Sequence, residues 1–395
     1  MEKVGKYITN YIKGKTPKVL LPNEEADTMP YLSPDYLRGV SAPEFYAKQD
    51  NKSIIVDNGE VIVLWDGSNA GEILISKKGV LASTMTMLQF DETQIDKAYF
   101  GYSFQNLEYI LKAKTAGSGI PHADKGVINK LEFYKPSISE QSAIAAILSK
   151  VDEAITSVQA SISAAERLKK SLMQNLLTGR MKPDGTLRKE DEFYVDEKFG
   201  RVPKGWHWGR LSEIAEIIAG QSPQGEYYNE DGLGCPMLNG PTEFTDKYPV
   251  PVQWTTKVTK LCQKGDILFT VRGSSTGRMN FADQEYCIGR GLAAIRPKPK
   301  SNIQFIYYTL LKISEMILAE AKGAGTTFPN VSRGDLIKKE ILIPDNQEEI
   351  VTQICSTESI IILKQNKIAV LERLKKSLMQ NLLTGRVRVK EHDNN

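Results

Sequence analysis

At 395 residues, with 41% hydrophobic and 25% charged side chains, the chain has a globular composition and a length that suits two or three domains better than one core. Its 51 basic and 48 acidic side chains leave a formal charge of +3, which excludes a uniformly basic coat for indiscriminate nucleic-acid binding but permits local basic patches. Cys235, Cys262, Cys287 and Cys355 form no C-x-x-C pair, and His122, His207 and His392 lie far apart. No metal site and no disulfide framework is expected. The longest run of Val, Ile and Leu is four residues and the N-terminus mixes charges into its apolar positions, so neither a membrane span nor a signal peptide is expected, and the chain is read as cytoplasmic.

In chain order, residues 3–11 read as a strand, and residues 60–65 (EVIVLW) as a buried strand entered from a Gly-acid turn and left through a Gly-Ser turn. From Gln141, apolar residues at Ile144, Leu148, Val151, Ile155, Val158, Ile162 and Ala165 alternate spacings of four and three, which is the seam of a long helix. The seam shifts register at Leu168, Leu172 and Leu176. Thr178-Gly179 then supplies a glycine stop. From 141 to 177 such a helix is about 55 Å long, too long to bury its seam on one domain, so pairing with another helix is expected.

Residues 190–206, with their charges and Gly200, Pro203 and Gly205, read as an exposed linker. Strands are expected at 266–271, 286–295 and 340–343, and a helix at 305–321. A second long helix carries Ile350, Ile354, Ile361, Ile368, Leu371, Leu374, Leu378 and Leu382, interrupted at Thr357 and Lys364 and stopped at Thr384-Gly385. Strand order within the sheets is not readable from the sequence.

The chain is one design written twice. ERLKKSLMQNLLTGR occurs at 166–180 and again at 372–386, an offset of 206. The same offset matches Gly14 with Gly220, Gly59 with Gly265, Gly67-Ser68 with Gly273-Ser274, Gly117-x-Gly119 with Gly323-x-Gly325, and Gln141 with Gln347, and the sequence predicts no shift along the way. Residues 1–189 thus pair with 207–395. Because cores tolerate apolar swaps, fifteen identical residues point to a shared partner bound twice, and the divergent residues 1–130 and 207–336 to two different targets.

Catalytic motifs are missing. Gly14-Lys15-Thr16 lacks the leading glycine of a P-loop, and no N-P-P-Y or D-P-P-Y, G-x-G-x-x-G or G-x-S-x-G string occurs. Asp184 sits in a plain Pro-Asp-Gly turn without a partner carboxylate. The chain is read as non-catalytic.

With those residues in hand, the chain resembles the specificity subunit of a type I restriction-modification system. The resemblance rests on Pro203-x-Gly205-Trp206-x-Trp208, Gly220-x-x-Pro223, the turn at Gly265, Gly323-x-Gly325 and the repeated S-L-M-Q-x-L-L-T-G string, and it covers essentially the whole length. The first half lacks a counterpart of Trp206. The resemblance implies an α+β fold: two similar mixed α/β target-recognition domains separated by two long helices that form an antiparallel coiled coil, related by an internal pseudo-two-fold. The boundaries expected are 1–140 and 207–346 for the recognition domains, 141–189 and 347–395 for the helical regions, and 190–206 for the linker. It further implies a bipartite, asymmetric double-stranded DNA target, two docked methyltransferase subunits that carry S-adenosylmethionine, and restriction subunits as further partners. The chain itself would bind no cofactor. Two other readings stand beside it: a coiled-coil adaptor without DNA readout, and a nuclease with a dispersed active site.

Loops after the strands are where DNA readers are expected. In the first half these give Lys13, Lys15, Asp66, Ser68, Asn69, Ser118, His122 and Lys125, and in the second Gln221, Arg272, Ser274, Ser275, Arg278, Arg290, Thr326, Thr327 and Arg333. Arginine pairs bidentately with guanine, Gln and Asn with adenine, and lysine more often meets phosphate. Arg272 leads, since Asp66 replaces it in the other half. Leu172, Met173, Leu176 and Leu177, with Leu378, Met379, Leu382 and Leu383, exceed what one seam uses and are expected to contact the methyltransferase subunits.

Overall fold

The computed structural model describes residues 1–48, 50, 52–115, 121–323 and 329–389. The chain divides into two compact units, Met1–Ala160 with Gln365–Asn395, and Ser161–Lys364. The helical regions are therefore not separate bodies: each long helix is shared, its first part belonging to one unit and its last part to the other.

In the first unit a four-stranded antiparallel sheet has the spatial order Ile8–Lys13, Met85–Phe90, Val61–Leu64, Ile73–Ile75. A five-stranded sheet follows the order Leu20–Leu21, Tyr46–Lys48, Thr28–Leu32, Gly79–Leu81, Ile55–Val56, and its pair Thr28–Leu32 with Gly79–Leu81 is parallel. The second unit repeats this plan. Its four-stranded sheet runs Ala215–Ala219, Leu292–Pro297, Ile267–Thr270, Met279–Phe281. Its five-stranded sheet runs Tyr228–Asn229, Gln253–Thr255, Cys235–Leu238, Tyr286–Ile288, Leu261–Cys262, with the corresponding parallel pair.

Strand Val61–Leu64 has no polar face because both faces are covered. Val61 and Val63 point into a core with Tyr99, Phe100 and Phe104 of the helix Lys97–Thr115, while Ile62 and Leu64 join a second core with Leu32, Val56 and Leu81. In the second unit, Ile267 and Phe269 meet Phe305 and Tyr308 of the helix Ile303–Gly323, and Leu268 meets Leu238 and Ile288.

The single strand expected at 286–295 is two strands, because the chain changes sheets at Gly289–Gly291. Gly220 crosses this switch so closely that a Cβ would lie 2.2 Å from the Gly289 carbonyl oxygen, and one on Gly14 would lie 2.0 Å from that of Ala82. The matched glycines are thus fixed by backbone approach. The offset is not constant, contrary to the sequence expectation. Asp124 and Ser332 cap the short helices Lys125–Lys130 and Arg333–Lys338 from positions 208 apart, and 206 returns only at Gln141 and Gln347. The change lies in connections, where insertions are tolerated.

Residues 190–206 are likewise more than a linker. Phe193–Asp196 and Gly200–Pro203 form a hairpin, Val202 is fully buried in the second unit's core, and the Tyr194 hydroxyl donates to the Trp206 carbonyl at 2.9 Å. Trp206–Arg210 then pairs with Glu340–Pro344 over five residues, whereas the first unit has only Glu2–Lys3 against Glu132–Phe133.

The long helices span Ile138–Leu176 and Gln347–Leu382. Gln141 and Gln347 lock their starts: each side-chain oxygen accepts the N–H one residue ahead of the domain helix, from Asp96 at 2.9 Å and from Asn302 at 2.8 Å. Within the first unit the two helical segments run antiparallel, with Asp152 meeting Lys375 at 2.7 Å and Glu140 meeting Arg388 at 2.7 Å. The second unit has the same sense, with Glu358 on Lys169 at 2.5 Å and Gln353 donating to the Pro183 carbonyl at 3.5 Å.

Candidate nucleic-acid interface

In each unit the loops nominated from sequence gather at one end of the four-stranded sheet. In the first unit, strand Ile8–Lys13 ends there, Trp65 and Asp66 emerge there, and both donate their N–H groups to the Thr84 carbonyl, at 2.7 and 3.3 Å. Asp66 collects two of the nominated side chains, Lys13 Nζ at 3.2 Å and His122 Nδ1 at 2.6 Å. Burial works against its charge, but the hydrogen bonds from His122 and Lys13 prevail and hold the carboxyl below the usual carboxylate range.

Beside this trio, Lys125 Nζ sits 4.8 Å above the Tyr11 ring, which meets Trp65 edge-on at 6.1 Å. Tyr11 donates to Asn129 at 2.7 Å, and burial pushes its phenol up to about 12. Lys15, Ser68 and Asn69 are exposed around the rim. Ser118 lies outside the described residues.

In the second unit, Arg272 takes the place of Asp66. Its backbone bridges to Asn330, as that of Asp66 bridges to His122. Among the described residues its exposed guanidinium has no partner. The Ser222 hydroxyl accepts the Arg290 N–H at 3.2 Å, and the Gln221 N–H binds the Ile288 carbonyl at 2.9 Å, leaving the side chains of Gln221 and Arg290 outside. Two other nominated arginines are engaged. Arg278 donates to the carbonyls of Pro241 and Phe244 at 3.2 and 3.0 Å, and Arg333 Nε donates to that of Ile217 at 2.9 Å. Ser274 is exposed and Ser275 half-buried. Thr326 and Thr327 lie outside the described residues.

The eight apolar residues nominated for the methyltransferase contact are accounted for within the chain. Leu176 and Leu177 are buried in the second unit's core with Leu172 and Met173 against it, and Leu382 and Leu383 are buried in the first unit's core with Leu378 and Met379 against it. The surplus over one seam is used to seat each helix end on a recognition domain.

Sequence reading missed a pair of matched clusters. Tyr102 donates to Asp152 at 2.7 Å, and Lys375 pairs with that carboxylate from 5.4 Å over the Tyr102 ring. Tyr308, Glu358 and Lys169 repeat the arrangement 206 positions away, with Lys169 at 5.6 Å from the ring. Burial of Glu358 opposes its charge, but Lys169 and Tyr308 hold it below the usual carboxylate range. The offset carried the signal: Tyr102 and Tyr308, and Lys169 and Lys375, are matched positions. No group of His, Cys, Asp and Glu among the described residues could hold a metal ion, and no described helix is long and apolar enough to cross a membrane.

Two repeated α/β units, each with polar loops collected at one sheet end, define a duplicated recognition architecture. The family model for the type I restriction modification DNA specificity domain matches residues 6–167 and again 203–373. The type I restriction enzyme MjaVIII specificity subunit of Methanocaldococcus jannaschii is 30% identical over 98% of this chain and 92% of its own length. A putative MjaX specificity subunit of the same organism is 32% identical over 78% of this chain and 72% of its own. The crystal structure of a type I restriction-modification S subunit from M. genitalium shares the fold, with a TM-score of 0.62 at 16% identity, covering 97% of this chain and 95% of that one. The chain belongs to the type I restriction-modification DNA specificity family.

Proposed function

We propose that this chain is the non-catalytic DNA-reading subunit of a cytoplasmic type I restriction-modification complex, and that its two units read different halves of one bipartite, asymmetric target. The observation that carries the reading is the contrast at equivalent sheet ends. One presents a carboxylate held by Lys13 and His122, the other an Arg272 with no partner among the described residues, together with the exposed side chains of Arg290 and Gln221. A free guanidinium suits the bidentate acceptors of guanine, and a glutamine amide those of adenine. The exposed Lys15 and the rim serines suit phosphate positioning. Arg278 and Arg333, bound to backbone carbonyls, shape their loops.

The repeated string still has an exposed face after its buried leucines are counted. Leu168 and Leu374 are 52% and 46% exposed, and the identical Lys170 and Lys376, Gln174 and Gln380 are exposed with them. In this reading that face, rather than the buried leucines, docks two copies of one methyltransferase subunit. The methyltransferase brings S-adenosylmethionine and flips an adenine near each half-site, and restriction subunits are further partners.

The test is duplex binding by the assembled complex across a salt series. Binding that falls steeply with salt, and is about a thousandfold or more tighter for one split sequence than for unrelated duplexes, is the expected result. Equal affinity for every duplex supports an adaptor, and magnesium-dependent cleavage by the chain alone supports a nuclease.

A further inference from the structure

The two units differ at one place where their scaffolds otherwise match. In the second unit Tyr307, one residue before the tyrosine of the matched cluster, lays its ring 4.9 Å from that of Phe281 at 39°. The matched positions in the first unit are Gly101 and Ile75. The equivalence is structural as well as numerical, since Ile75 pairs with Val61 across the sheet as Phe281 pairs with Ile267. Where the second unit has two rings, the first therefore has a hydrogen atom and an aliphatic chain. The result is an open pocket of about 370 Å³, bounded by Ile75, Gly101 and Tyr102 with Gln105, Ser149 and Asp152 at its edge. Its charged groups are already paired: Lys97 with Glu60, and Asp152 with Lys375. What it offers an occupant is apolar wall, an aromatic face and the uncharged polar groups of Gln105 and Ser149.

We infer that this pocket is a binding site for a phenol-sized ring, supplied by an aromatic side chain of the methyltransferase subunit. The repeat itself indicates the occupant, because the same scaffold holds a tyrosine ring in this space in the second unit. Ser149 and Asp152 belong to the long helix, so an occupant sits where that helix meets the recognition domain. The choice of partner rests on the reading that the helices dock methyltransferase subunits. One docked copy then inserts a ring beside Gly101, and the other meets a site already filled by Tyr307. Aromatic side chains suit such a role because they bury a large area and still present a polar edge.

The probe is p-cresol, the tyrosine side chain alone, titrated into the full chain with its isoleucine δ1 methyls carrying ¹³C. The Ile75 signal is assigned by its loss in Ile75→Val. The expected result is a saturable shift of that signal, with affinity at least tenfold weaker in Gly101→Tyr. A Cβ at position 101 comes within 2.9 Å of Ile75 Cδ1, so melting temperature checks that variant. The double variant Gly101→Tyr/Ile75→Phe rebuilds the ring pair of the second unit, and saturation transfer to p-cresol itself reads its occupancy. No shift at Ile75, or equal p-cresol binding by the folded double variant, overturns the pocket. Affinity for the methyltransferase subunit is then compared between the wild-type chain and the double variant. A fivefold or greater loss is expected, and unchanged affinity overturns the assignment of the partner. Because DNA reading sits at the sheet ends, a complex that still selects its split sequence but ignores p-cresol refutes this inference and leaves the proposed function standing.

Discussion

The two units share a scaffold and differ where it ends. Gly14 and Gly220 cross the same sheet switch, Gln141 and Gln347 bond to the residue just ahead of the same helix, and Tyr102 and Tyr308 donate to the same carboxylate position. At the sheet end, by contrast, Asp66 is held by Lys13 and His122 while Arg272 is free among the described residues. Scaffold and loop residues are under different constraints. A residue that closes a backbone approach or fills a buried cluster must recur, whereas a loop held by that scaffold is free to change what it recognises.

The largest effect is expected at Arg272. Arg272→Ala is expected to cost about 1–3 kcal/mol of binding at one half-site and nothing at the other, measured with duplexes mutated in each half separately. Equal loss at both halves would remove the assignment of Arg272 to one half-site.

The next effect is on stability, and it belongs to the first unit alone. Glu140 is 2% exposed and takes a bidentate pair from Arg388, with the Val389 N–H at 3.2 Å. The matched positions are Asn346 and Lys182, which cannot rebuild it. Arg388→Ala should cost about 1–3 kcal/mol in urea unfolding, because it leaves a buried carboxylate short of donors. Arg388 holds the Glu140 carboxyl below its ordinary 4.5. The Glu140 contribution is therefore complete above that value and lost as pH falls through the lowered one. The variant should accordingly show a shallower acid limb; an unchanged limb would show that the pair is not what loses stability there.

Smaller still are the matched clusters. Glu358→Gln should cost about 1 kcal/mol, a figure reduced for its partial exposure to solvent, and Asp152→Asn about half that, read as shifts in the urea midpoint. A larger cost for Asp152→Asn than for Glu358→Gln would overturn this ranking of the two clusters. The smallest effect is at His122: His122→Ala leaves Lys13 on Asp66 and should change stability by about 0.5 kcal/mol or less, while altering discrimination only at the first unit's half-site.

Much of this architecture is legible in the sequence, for physical reasons that particular residues show. The runs at 61–64 and 267–270 declare buried strands because both faces are covered. The helix stops at Gly179 and Gly385 are equally plain, since both adopt left-handed φ values of 65° and 72°. Three features escape a linear reading. The seam leucines give their burial but not the surface that buries them, so the spacing of Leu176 and Leu382 fits a docking face as well as a core. The hairpin at 193–203 is hidden by its charges, because only Val202 and Pro203 are buried. The shift of offset to 208 falls between landmarks and leaves no mark on either side. At the sheet ends the nominated loops do converge, but which arginine is free and which is tied to a carbonyl depends on contacts between distant segments, such as Arg333 with Ile217.

The most direct test of two units reading two different half-sites is a methylome. The chain is expressed with its methyltransferase partner in a host without DNA methylation, and methyl-adenine is mapped by single-molecule sequencing. The expected result is one split motif with unlike halves, methylated on both strands, in which Arg272→Ala relaxes one half only. A palindromic motif, or no new methylation from a complex shown to be assembled, would contradict it.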